Sequence, residues 1–119
     1  MAKVYVIFVE GDIDELFFKA IINQYRCKYP QETEKIKISI INLRGIGNYS
    51  TKALALLKNK ILKEVKAKKD TLNGVFCTHD TDVFEFSSYP PIEWPHLLND
   101  FKKLAPKAEI MKIDIRYSI

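Results

Sequence analysis

Residues 4–9, VYVIFV, are apolar at every position and rich in β-branched and aromatic side chains. Such a run predicts a central strand buried on both faces. Residues 35–43, KIKISIINL, alternate and then run apolar, which predicts a second, less buried strand. VFCTHDTD at 75–82 reads as a short apolar strand ending in acids, and AEIMKIDIRYSI at 108–119 as a last strand. Helical spacing fills the intervals. Residues 12–28 carry an apolar stripe at Leu16, Phe17, Ala20 and Ile21, with Asp12 placed as N-cap and Glu15 three residues on as in a capping box. A second helix is predicted from Ser50 or Thr51 to about Lys68, with Leu54, Leu57, Ile61, Leu62 and Val65 on one face and lysines on the other. A third spans 95–104, with Pro95 in its first turn. KYPQETEK, RGIGNYS, KKDTLNG and the three-proline stretch EFSSYPPIEWP break these elements.

The order is β-α-β-α-β-α-β. Alternation of this kind predicts an α/β fold, a mainly parallel sheet of about four strands with right-handed crossovers and helices on both faces. The 119 residues suit a single domain, 1–119, and the chain shows no repeat, low-complexity tract or linker. It stops inside or just after the last strand, an ending expected of a piece of a longer protein.

Composition changes this picture little. The chain is 47% hydrophobic and 29% charged, an ordinary globular balance, and its net charge of +4 permits a polyanionic partner without demanding one. Cys27 and Cys77 have neither CxxC nor zinc-type spacing, and free thiols are expected. The first strand begins almost at the N-terminus and is too short for a signal peptide or a membrane span. A cytoplasmic protein with no membrane partner is expected; composition is silent on oligomeric state.

The chemistry gathers at two strand ends. Ligands of open parallel sheets bind beyond the carboxyl ends of the strands. The first strand ends in Glu10-Gly11 and the third in Asp80-Thr81-Asp82. If the two are neighbours, three carboxylates converge, and such a group stays ionised only against a counter-charge. Hard oxygen ligands of this kind suit Mg²⁺ or Mn²⁺. Asp80 and Asp82 are two apart, so in a strand they point the same way, with Thr81 opposite. Gly11 is expected to let the backbone turn sharply, leaving Glu10 exposed and aiming a helix N-terminus at the site.

A glutamate-glycine after the first strand and an Asp-x-Asp after the third resemble the Toprim domain, the metal-binding module of topoisomerases, primases and several nucleases. The longer run VEGDIDELFF is similar to the opening of the OLD family and related Toprim proteins. The resemblance extends over nearly the whole chain, since the element order fits the Rossmann-like Toprim fold. It implies Mg²⁺-dependent phosphodiester chemistry on DNA or RNA, as in nucleases of phage defence or DNA processing. It implies that Asp80 and Asp82 hold the metal and that Glu10 is a further ligand or a general acid/base. Asp14, one turn into the first helix, would ligate a second ion, and two metals about 4 Å apart would clamp both oxygens of an in-line displacement. OLD-type nucleases carry further acids and a lysine downstream and are often fused to an ATPase. No GKS or GKT phosphate loop occurs here, and the small stand-alone Toprim proteins are the better comparison.

Around that edge, Arg44, Asn48 and Lys52 are candidates for nucleic-acid backbone contacts, and Gly45 and Gly47 could turn N–H groups towards phosphate. Phe84, Phe86, Tyr89 and Trp94 could stack bases or pack under the loop. His79 is expected on the face opposite the aspartates, and His96 is expected to be structural. Two enzyme rivals share the sheet. Haloacid-dehalogenase-type phosphatases place their Asp-x-Asp after the first strand. Receiver domains need a lysine late in the fold, where Arg116-Tyr117 stands. An alternative of another class is a non-catalytic module that binds metal and nucleic acid or a protein partner, completed by an ATPase or another partner protein.

Overall fold

The computed structural model describes residues 1–45, 48–80 and 93–115, with Asp80 described by its backbone alone. Strand β1 (Lys3–Val9) leads into helix α1 (Asp12–Lys28), then β2 (Ile36–Asn42), helix α2 (residues 49–67), β3 (Thr71–Asp80), helix α3 (Trp94–Leu104) and β4 (Glu109–Ile115). The four strands form one sheet in the order β2-β1-β3-β4, and every pair is parallel. This is the predicted α/β architecture. The two apolar runs, β1 and β3, take the central positions. The less buried β2 is an edge strand.

Strand order fixes where the helices go. The chain steps one way from β1 to β2, then crosses β1 to reach β3 and continues to β4. With right-handed crossovers, α1 covers one face and α2 and α3 the other. The main core lies on the second face. Val6, Phe8, Val75 and Cys77 from the sheet meet Tyr49, Ala53, Leu57 and Ile61 of α2 and Leu97 and Phe101 of α3. The buried positions of α2 recur every four residues. Two wider π-type turns, Tyr49–Ala53 and Leu57–Ile61, widen the 3.6-residue repeat and keep that row in line over the sheet.

Three expectations need correction. First, β3 begins at Thr71, not at residue 75. Gly74 was read as part of a break, but it sits inside the strand: a Cβ there would lie 2.9 Å from the Tyr5 ring and 3.0 Å from the Phe76 ring. The glycine makes room for two stacked rings, a close-approach role within a strand. Second, the N-cap of α1 is Gly11, with no side-chain cap, and Asp12 is the first helical residue. Third, the apolar stripe of α1 does not face the sheet: Leu16 is 68% exposed and Phe17 and Ile21 nearly half. The inward row is Asp14, Phe18, Ile22 and Arg26. Arg26 sets this rotation by donating from Nη2 to the Ile36 carbonyl of β2 at 2.8 Å and from Nη1 to the Thr33 carbonyl at 3.4 Å. A guanidinium with a long apolar stem can serve as the inward residue of a helix, which a hydrophobic count overlooks.

Cys27 is exposed, Cys77 is buried, and both are free thiols. Among the described residues no helix is long and apolar enough to cross a membrane.

Candidate metal and nucleic-acid site

Glu10 follows the last residue of β1, and Asp80 closes β3. These strands are hydrogen-bonded neighbours, with Phe8 paired to Cys77. Glu10 is therefore two residues beyond that pair and Asp80 three. β1 is also where the sheet's order reverses, since α1 leaves to one face and the later crossovers lie on the other. The crevice of an open parallel sheet lies at the carboxyl ends of the strands flanking such a switch point. The glutamate of the first strand and the start of the aspartate pair thus share that edge. Asp82 lies outside the described residues, as do Gly47 and the loop aromatics Phe84, Phe86 and Tyr89.

Two buried hydroxyls tie the ends of β1 and β3 together. The Thr78 hydroxyl donates to the Phe8 carbonyl at 2.7 Å. The Tyr49 hydroxyl, from the first turn of α2, lies 2.5 Å from the Thr78 carbonyl and 2.9 Å from that of Phe8. Burial pushes the Tyr49 phenol well above its ordinary value, and nearby Cys77 and Glu10 act in the same direction. It remains a neutral donor. The base of the site is therefore a rigid crosspiece of two strand ends and one helix start.

The turn after Glu10 differs from expectation. Gly11 has extended backbone angles, φ −153° and ψ −179°, which any residue adopts, and a Cβ there would meet nothing within 4 Å. The chain needs no glycine there for its bend. The Glu10 carbonyl instead accepts the Gly45 N–H at 2.8 Å, pinning the β1 end to the loop after β2. That loop uses left-handed backbone at Arg44, φ 56°, and a positive φ of 135° at Gly45.

Asp14, in the first turn of α1, is the one residue of that helix that is buried, at 7% exposure. Asp12 and Glu15 flank it and are held by Asn42 at the end of β2. The Asn42 amide donates to Asp12 at 2.7 Å and to Glu15 at 3.3 Å, while its oxygen accepts the Arg44 N–H at 2.9 Å. The Lys19 bond, followed by that of Asn42, holds Glu15 below the usual carboxylate range. Arg44 also lies 3.7 Å from Asp12, an exposed pair of little energetic weight.

The three proposed nucleic-acid contacts separate. Arg44 is exposed beside Asp12. Asn48 turns its amide inward, donating to the Leu43 carbonyl at 2.7 Å and the Arg44 carbonyl at 3.4 Å, so its described bonds close the loop. Lys52 is exposed on α2 and makes no ion pair among the described residues.

His79 is buried. Its Nδ1 lies 3.2 Å from Asp114 directly across on β4, and its ring is 5.4 Å from that of Trp94. Trp94 also packs edge-on against Tyr49 at 5.0 Å and lies under the Lys112 ammonium. Partial burial acts to raise Asp114, but the His79 and Lys112 bonds outweigh it and hold the carboxyl below its ordinary value. His96, by contrast, is exposed. Sequence reasoning passed over Asp114 and Asn42. Each lies at or near the carboxyl end of its strand, and that position was the signal available for both.

Among the described residues no three metal-binding side chains already cluster, a description that leaves out the carboxylates of Asp80 and Asp82. The donor chemistry still fits a hard cation: a buried Asp14 carboxylate and Glu10 stand at the edge where β3 delivers its aspartate. A groove of about 540 Å³ between α1 and β2, lined by Leu16, Ala20, Ile22, Arg26, Ile38 and Ile40, holds none of these acids.

Residues 4–67, more than half of the chain, match the family model described as "Overcoming lysogenization defect protein-like, TOPRIM domain". The chain belongs to the OLD-like Toprim family. The match includes Glu10, Gly11 and Asp14 and ends before Asp80 and Asp82. No curated protein and no solved structure matches the chain. Toprim domains generally bind divalent metals and act in nucleic-acid-related, metal-dependent functions.

Proposed function

We propose that this Toprim protein, one domain over residues 1–119, hydrolyses phosphodiester bonds in nucleic acid with Mg²⁺ or Mn²⁺. Asp80 and Asp82 hold the ion, with Glu10 as a further ligand or as the group that moves a proton at the attacking or leaving oxygen. Asp14 serves a second ion. When bound, the metal neutralises charge on the phosphoryl oxygens and lowers the pKa of a water. The chain's own residues position these carboxylates. Tyr49 and Thr78 lock the two strand ends, and the Gly45–Glu10 bond fixes the β1 end. Arg44 and Lys52 supply cationic contacts on the same edge, and Asn48 shapes their loop. The observation that supports the reading most is the adjacency of β1 and β3 at the switch point of the sheet.

One observation favours a second reading. The family match stops before the aspartate pair. A domain that binds metal and nucleic acid but needs further acids from an ATPase or other partner protein is consistent with that.

The test is cleavage of supercoiled plasmid, single-stranded DNA and structured RNA in Mg²⁺, Mn²⁺ or EDTA. Wild type is compared with the Asp80→Asn/Asp82→Asn double variant and with Glu10→Gln. Metal-dependent cutting that drops by about 10²-fold or more in both variants is the expected result. Equal cutting by all three proteins overturns the proposal. Tight Mn²⁺ binding that is lost in the double variant, without cutting by wild type, selects the second reading.

A further inference from the structure

Helix α2 starts at the candidate site and leads away from it. Its first turn is fastened to the carboxyl ends of β1 and β3 through the Tyr49 hydroxyl. Its last turn reaches the opposite edge of the sheet, where the Asp70 N–H bonds the Val65 carbonyl and the Thr71 N–H bonds the Ala2 carbonyl. The helix thus spans the sheet from one edge to the other.

Its two faces differ sharply in character. Tyr49, Ala53, Leu57 and Ile61 are buried. Lys52, Lys58, Lys63, Lys66 and Lys69 are exposed, and none makes an ion pair among the described residues. Between residues 49 and 69 the one acid is Glu64. From Lys52 to the end of α2 at residue 67 is about 22 Å at a helical rise of 1.5 Å per residue. Duplex nucleic acid carries a charge every ~1.7 Å of its axis, so a stretch of that length offers roughly 13 phosphates.

We infer that the outer face of α2 is a rail for the sugar-phosphate backbone of a nucleic-acid duplex, which it guides away from the Glu10–Asp80 edge for about seven base pairs. The inference rests on the reading of that edge as a phosphodiester site and adds where the rest of the substrate lies. Lysines act as point charges without base readout, so the contact is independent of sequence. An anionic bilayer fits the face less well. None of the large exposed apolar residues lies on α2, so the helix has no apolar face to insert.

The test is fluorescence anisotropy in EDTA, so that binding is read without cutting. Wild type is compared with Lys58→Gln/Lys63→Gln/Lys66→Gln on labelled duplexes of 8 and 24 base pairs across 50–250 mM salt. All three lysines are exposed, and matching circular dichroism and melting curves confirm the fold. Wild-type affinity is expected to rise with duplex length. The triple variant is expected to bind the longer duplex at least tenfold more weakly, with a salt slope shallower by about 2.7 for three lost phosphate contacts. Equal affinity and equal slope for the two proteins overturn the rail. So does wild-type binding to phosphatidylserine vesicles with no binding to either duplex. If the cleavage assay fails while the length-dependent difference holds, the rail stands and the hydrolase reading falls.

Discussion

Replacing Tyr49 by phenylalanine removes one oxygen from the crosspiece under the site and leaves the ring. The ring's neighbours, Phe8 at 6.3 Å and Trp94 at 5.0 Å, keep their edge-on contacts, so packing loss is small. What disappears is a buried donor. The hydroxyl has one proton for two carbonyls, and the Thr78 carbonyl, at 2.5 Å, is the closer acceptor. The Phe8 carbonyl still receives the Thr78 hydroxyl at 2.7 Å. Tyr49→Phe therefore takes the hydroxyl partner from one buried carbonyl, at a cost of about 1–3 kcal/mol. For a chain of this size that corresponds to a fall in Tm of roughly 4–12 °C. Thermal melts and urea titrations of wild type, Tyr49→Phe, Thr78→Val and the double variant measure it. The urea midpoint should move without a change in slope. The two changes share the Phe8 and Thr78 groups, so the double variant should depart from additivity by about 0.5 kcal/mol or more. A Tyr49→Phe melt within about 1 °C of wild type would refute the reasoning, because the hydroxyl would then contribute nothing to the crosspiece.

Two further changes test other parts of the fold. Gly74→Ala places a Cβ 2.9 Å from the Tyr5 ring, whose stacking on Phe76 leaves it little freedom to yield. Overpacking is expected to exceed the gain in strand propensity and to lower stability by about 1–2 kcal/mol in urea unfolding; a neutral or stabilised variant would show that the rings give way. Asp70 is held below its ordinary 3.8, first by the 2.7 Å bond from Lys37 and then by the Ala2 N–H. A carboxyl lowered in the folded state contributes stability above its unfolded value, and loses it as pH falls through the folded value. Asp70→Asn should therefore be less stable than wild type at pH 6, with the gap closing only below pH 3.8. Urea midpoints that differ by the same amount at every pH would remove the ionic part of the contact.

How much of this was legible in the chain depends on how local each signal is. The apolar run of β1 forms where it is read, β3 forms but starts earlier, at Thr71, and α2 buries Leu57 and Ile61 of its expected face together with Tyr49 and Ala53, while Leu54, Leu62 and Val65 are partly buried against the core. The errors fall where one residue plays a role its type does not advertise. Gly74 accommodates two rings inside a strand, Arg26 turns inward to cap carbonyls of the β2 approach, and Gly11 bends nothing. Strand order is a different kind of property. No stretch of sequence states that β1 lies between β2 and β3, yet the candidate site depends on it. The case for Glu10 follows from that placement. After the exposed Lys3 at its start, β1 buries Val6, Phe8 and Val9 completely, so Glu10, just past its carboxyl end, is the next place it presents a charge. At β1 that place is also where the helices part to opposite faces and leave a crevice. β3, the neighbour across the crevice, ends in an aspartate. A glutamate there is costly to keep ionised next to further carboxylates unless a cation joins them. This is the physical reason to look for a metal at this edge rather than in the apolar groove beside β2.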